Sequence, residues 1–84
     1  MKLTVLYFAS LREALDCASE TVEVPQAVRD IAGLRAHLAA RGPRWERLAG
    51  ARNLRAARNQ VMSPATAMIA DGDEIAFFPP VTGG

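Results

Sequence analysis

The sequence predicts an α+β domain, a mixed sheet of four to five strands packed on one main helix, and three observations lead there. β-branched and aromatic residues alternate along Lys2 to Phe8 near the start and Glu74 to Phe78 near the end. Between these stretches, one segment carries apolar residues at helical spacing, Ile31, Leu34 and Leu38. After the last strand, Pro79-Pro80 fixes two φ angles and removes two backbone donors, so the ladder stops and residues 79–84 are expected to extend as a free tail. With 84 residues, the chain is expected to form one domain, 1–84, around a single core.

In the first strand, Leu3, Val5 and Tyr7 point one way and are assigned to the core, while Leu6 and Phe8 lie opposite with Thr4. Leu11 to Asp16 is read as a short helix. Ser19 to Val24 is read as a second strand, stopped by Pro25 and paired with the first as a hairpin. Asp30 supplies an N-cap for the main helix, and Gly42 and Pro43 end it. Arg29, Arg35 and Arg41 fall off its apolar stripe and are expected on a solvated face. Arg41 lies in the last turn, where a cation suits the helix dipole.

Pro43 to Ala49 opens another helical turn, with Trp45 and Leu48 turned to the core. Asn53 to Gln60 is read as a strand, although its alanines and arginines would also suit a helix. Ser63-Pro64 breaks the pattern, and Ala67 to Ala70 is a further short strand candidate. Asp71-Gly72-Asp73 is a turn that needs positive φ at Gly72. In the last strand Ile75 and Phe77 share the core face, while Ala76 and Phe78 share the other. The expected order is therefore β-β-α-β-β with short helical turns.

Bulk properties narrow the function classes. A formal net charge of +1 exerts no global pull toward nucleic acid or membrane, so recognition must be local. The apolar runs are too short to span a bilayer, and no signal-peptide pattern precedes the first strand, so a cytoplasmic protein is expected. The single cysteine, Cys17, has no partner for a disulfide or metal cluster and no basic setting to activate it. His37 lacks a second ligand at metal spacing, so no metal site is expected. Asp71, Asp73 and Glu74 are explained as turn formers. Arg52, Arg55 and Arg58 alternate between strand faces without interleaved aromatics, which points to solvent or an acidic partner rather than nucleic acid.

Chemistry concentrates at the tail. Gly83 and Gly84 lack side chains, so they pass through a channel too narrow for a Cβ. The reactive group there is the Gly84 α-carboxylate, a poor electrophile at neutral pH that must be activated before it reacts. Leu6, Phe8 and Phe78 form a candidate apolar patch beside the tail. Alternation by itself leaves open a second buried layer within the monomer.

The turn and strand Asp71-Gly72-Asp73-Glu74-Ile75-Ala76-Phe77-Phe78, the end Pro79-Pro80-Val81-Thr82-Gly83-Gly84 and the start Leu6-Tyr7-Phe8-Ala9-Ser10-Leu11-Arg12-Glu13 resemble the small subunits of molybdopterin synthase, a family of ubiquitin-like sulfur carriers. The resemblance covers essentially the whole chain. It implies a β-grasp fold and a non-catalytic carrier subunit that binds no cofactor. An ATP-using, E1-like partner adenylates Gly84, and a sulfur donor protein converts the adenylate to a thiocarboxylate. The tail then enters the large synthase subunit, in a heterotetramer, and delivers sulfur to a cyclic pterin monophosphate to build the dithiolene. Gly84 carries the chemistry in that reading and Gly83 gives flexibility. Leu6, Phe8, Phe78, Pro79, Pro80, Val81 and Thr82 bind the partner. Two alternatives stay open: a carrier for thiamine or another thiolated product, or a ubiquitin-like modifier, and a non-covalent ubiquitin-like interaction module.

Overall fold

A computed structural model describes residues 1–51 and 53–79. The order is β1 (Lys2–Tyr7), α1 (Ala9–Leu15), β2 (Ser19–Glu23), α2 (Ile31–Ala39), a 3-10 turn (Pro43–Trp45), α3 (Glu46–Gly50), β3 (Arg55–Arg58), β4 (Val61–Ser63) and β5 (Glu74–Phe78). Five strands form one mixed sheet in the order β2-β1-β5-β3-β4. The two terminal strands, β1 and β5, lie side by side and parallel at its centre, and every other pairing is antiparallel. Among the described residues, no helix is long and apolar enough to cross a membrane.

The core lies between one sheet face and the helices. Leu3, Val5 and Tyr7 of β1 and Ile75 and Phe77 of β5 meet Ile31, Leu34 and Leu38 of α2, all buried as the two periodicities require. Leu48 is buried as well, and Trp45 packs against the core edge. The Asp30 carboxylate accepts from the Gly33 amide at 2.7 Å and starts α2. The helix ends at Ala39, ahead of Gly42, whose φ of 153° admits the turn into Pro43. α1 runs from Ala9 rather than Leu11. It closes on Asp16 in the left-handed region, with the Cys17 amide donating back to the Arg12 carbonyl at 3.2 Å.

In the second half one expected strand is absent and one unforeseen strand is present. Ala67 to Ala70 does not form a strand; it contributes an isolated bridge between Met68 and Asp30. Its neighbours spend their backbone on the loop before α2 instead: the Ile31 amide donates to the Ala67 carbonyl and the Ile69 amide to the Arg29 carbonyl. The additional strand is Val61–Ser63, directly before Pro64. Asn59 and Gln60 both have positive φ, 50° and 69°, which is the two-residue hairpin geometry that returns β4 along β3. A non-glycine residue pays steric cost there. Gln60→Gly is therefore expected to stabilise the domain by roughly 0.5–1 kcal/mol, read as a higher urea midpoint with unchanged slope.

Arg35 and Arg41 are not merely solvated. Arg35 reaches from α2 to the end of α3, where its Nε donates to the Leu48 carbonyl and Nη2 to the Ala51 carbonyl at 2.5 Å. Arg41 forms a two-bond pair with Glu20 of β2, at 3.0 and 2.5 Å, and its guanidinium lies 3.8 Å from the centre of the Trp45 ring. Glu20 also accepts from the buried Tyr7 hydroxyl at 2.7 Å. Burial, and then the bond to Glu20, push the Tyr7 hydroxyl far above its ordinary pKa, so it stays a donor. Burial works against the Glu20 charge, but the bonds from Arg41 and Tyr7 outweigh it and hold its carboxyl below the usual range.

Candidate functional site

Strand register brings the sequence-predicted patch together. Tyr7 is level with Phe77, so Phe8 leaves β1 where Phe78 ends β5. The Phe8 amide donates to the Phe77 carbonyl at 3.2 Å. The two rings meet edge-on with centroids 6.4 Å apart, worth about 0.5–1.5 kcal/mol beyond their buried area. Phe8 is 46% exposed, and Leu6 and Phe78 are half-buried. Among the described residues they form no second core layer: all three lie outside the core cluster.

The register also supplies what sequence reasoning missed. Ser19, Leu6, Ala76, Ala57 and Met62 form one row across all five strands. Ala57 and Ala76 are buried, yet lie outside the core cluster. Met62, 54% exposed, ends the row on edge strand β4. The apolar surface thus runs from Phe8 and Phe78 through Leu6 and the two alanines to Met62. Met62 gave no usable signal because Ser63-Pro64 masked its strand.

Pro79 is half-buried and shares a groove of about 400 Å³ with Ser10, Leu11 and Ala14 of α1 and Arg47 of α3. Arg55 stands directly opposite Phe78 on β3. Pro80, Val81, Thr82, Gly83, Gly84 and Arg52 lie outside the described residues.

At its other end β5 is fixed by a buried carboxylate. Asp73 is 8% exposed; its Oδ2 accepts from Arg58 Nε at 2.6 Å and from the Ala70 amide at 2.8 Å, and its Oδ1 from Asn59 Nδ2 at 3.0 Å. Asn59 in turn accepts from the Glu74 amide at 2.9 Å. Asp73 therefore does more than form a turn, and Arg58, on the core side of β3, has an internal partner. Burial disfavours the Asp73 charge, but the bonds from Arg58, Asn59 and Ala70 overcome that and hold its carboxyl below the usual range. Among the described residues no group of three or more His, Cys, Asp or Glu is placed to hold a metal ion.

Comparison with known proteins decides the family. The ThiS family matches residues 5–84. This chain belongs to the ThiS family. The molybdopterin synthase sulfur carrier subunit of Escherichia coli K12 is 40% identical over 82 residues, 98% of this chain and 99% of that protein. SAMP1 from Haloferax volcanii superposes with a TM-score of 0.80 at 26% identity, covering all of both chains. A chain of the protein-protein complex of subunits 1 and 2 of the molybdopterin-converting factor from Helicobacter pylori superposes with a TM-score of 0.66 at 25% identity, again over both chains entirely. The ThiS-family fold is the ubiquitin-like β-grasp, and the sheet order β2-β1-β5-β3-β4 curled on α2 is its form here.

Proposed function

We propose that this chain is a sulfur carrier in molybdenum cofactor biosynthesis. The observation that carries the reading is the near full-length likeness to a protein named as a molybdopterin synthase sulfur carrier subunit. The apolar face leading to the base of the tail agrees with it. An E1-like partner transfers AMP from ATP to the Gly84 carboxylate and releases pyrophosphate. Sulfide released by the sulfur donor then attacks the acyl carbon, AMP departs with the bonding electron pair, the sulfur's proton goes to solvent, and Gly84 ends as a thiocarboxylate. This is acyl activation followed by substitution with a soft nucleophile. The loaded tail enters the large synthase subunit and gives its sulfur to the cyclic pyranopterin monophosphate, one sulfur per carrier, to make the dithiolene. Thr82, Val81, Pro80 and Pro79 bind the partner in this reading, and Gly83 lets the terminus pass a narrow channel.

The test is the intact mass of the chain after incubation with ATP, an E1-like activating protein and a sulfide source. Exchange of one oxygen for sulfur, confined to the C-terminal peptide, is the expected result. An unchanged mass with a demonstrably active partner would defeat it.

Docking rests on Leu6, Phe8, Phe78 and Met62. Phe78→Ala is expected to weaken binding to the large subunit or the activating protein by about 2 kcal/mol, roughly thirtyfold in Kd, because a half-buried aromatic packed edge-on against Phe8 within an apolar patch has the character of a hot spot. Calorimetric titration measures this, with the melting curve of the isolated domain as control. Loss of the fold without a separable binding defect would assign Phe78 to stability instead.

A further inference from the structure

The chain has nine arginines but one lysine, Lys2. That ratio matters for a protein whose terminus becomes an acyl electrophile, because an amine attacks such a carbon and makes a permanent amide. Lysine, with an ordinary pKa near 10.4, has about one neutral amine in a few thousand at pH 7; the guanidinium of arginine is neutral at least about a hundredfold less often. A surface of arginines keeps positive charge while offering almost no competing nucleophile.

The placement is as informative as the count. Arg55 stands beside Phe78 on the neighbouring strand, Arg47 shares the groove with Pro79, and Arg12 lies on α1 just after Phe8; all three are exposed. Arg55 and Arg47 thus stand at the base of the tail, and neither is an amine. Lys2 sits at the opposite end of the sheet. β1 and β5 are parallel with Thr4 level with Glu74, and the Gly72 amide donates to the Lys2 carbonyl at 2.7 Å. Lys2 is therefore six residues of extended strand from Phe78, about 20 Å. Residues 79–84 span about 20 Å at most, so only a fully stretched chain doubled back along the sheet would bring Gly84 level with Lys2. The α-ammonium of Met1 lies at that end too, donating to the Val24 carbonyl at 2.9 Å and 3.6 Å from Glu23.

Cys17 is the remaining strong nucleophile, and it does lie at the tail end of the sheet, since the Tyr7 amide donates to the Ala18 carbonyl. It is half-buried with its thiol donating to the Ser19 carbonyl at 3.5 Å, and burial followed by the Glu20 charge pushes its pKa up. Less of it is thiolate at neutral pH than of a free thiol, which weakens it as a competing nucleophile.

We propose that the arginine-bearing, amine-free end of this domain protects the activated Gly84 acyl group from the carrier's own surface and reserves it for an external nucleophile. The inference rests on the carrier reading, and it concerns the side reaction that such a carrier must avoid. In that reaction an amine nitrogen bonds to the Gly84 carbonyl carbon, AMP leaves with the bonding electron pair, and the ammonium proton goes to solvent.

An intein-derived C-terminal thioester of the full chain carries the same electrophile without any enzyme. The wild-type thioester is expected to hydrolyse or exchange with added thiol, leaving no species one water lighter than the free acid. Arg55→Lys, and independently Arg47→Lys, is expected to raise that internal amide at least tenfold, reflecting the high local concentration of a tethered amine; Lys2→Arg is expected to match wild type. Equal amide formation in wild type and both lysine variants, or none in folded samples of either variant, would overturn the proposal. Absence of pyrophosphate release with the activating protein and ATP would count against the carrier reading alone, because the thioester result does not depend on it.

Discussion

Deleting Gly84 is expected to abolish sulfur loading, with a loss beyond about a thousandfold, while the melting temperature stays within a degree or so of wild type. The asymmetry follows from where the contacts are. The core described is built from β1, β5 and α2, and β5 ends at Phe78, six residues before Gly84 in the chain. Loading demands that one carboxylate sit within near-attack distance of the adenylating centre, and a terminus displaced by one residue, about 3.3 Å, forfeits the positioning on which such a reaction depends. Pyrophosphate release and intact mass measure the loss; thermal unfolding measures the fold. Appending one residue after Gly84 is expected to do the same. A truncated chain that still gains sulfur would defeat the carrier mechanism and favour a module that binds through its sheet face.

The second large effect is on stability. Asp73→Ala removes the acceptor of three hydrogen bonds, one of them from a guanidinium, and leaves the Ala70 amide without its partner. Arg58 is 39% exposed and regains water, which moderates the loss. We expect about 2–4 kcal/mol, or roughly 10–30 °C in Tm for a domain of this size. Asp73→Asn, which keeps the shape and one acceptor, is expected to lose less.

The same site sets the acid limb. Because the folded-state pKa of Asp73 lies below its unfolded value, the unfolded chain binds more protons as pH falls. The stabilisation is complete above the unfolded pKa, near 3.9, and is lost as pH drops through the lower folded value. Asp73→Ala should therefore flatten the stability profile in that range. Glu20, shifted in the same direction, leaves a residual slope. Urea unfolding across acid pH reads this directly; an unchanged slope would remove Asp73 from the account.

Much of the domain was legible from local pattern. The inward faces of β1 and β5 follow from alternation, the α2 stripe from its spacing, and the α2 cap from Asp30 preceding it. Gly72 has the positive φ, 88°, that the Asp-Gly-Asp turn demanded. The candidate patch was legible for Leu6, Phe8 and Phe78 because both faces of β1 are apolar. Met62 was not, because its strand is three residues long and its hairpin depends on Asn59 and Gln60 both entering the left-handed region.

By itself the sequence determined the periodic elements, the direction each strand face points, and a terminus whose only chemistry is a carboxylate. The reason is that alternation, helical spacing and the effects of proline and glycine act within a few residues. The tertiary structure decided which strands are neighbours. Parallel pairing of β1 with β5 sets Phe8 beside Phe78, antiparallel pairing of β5 with β3 sets Arg55 at the base of the tail, and closure of the sheet brings Arg58, Asn59 and Asp73 together from 14 and 15 residues apart. Such contacts are fixed by packing the whole chain on one core, so no local window contains them.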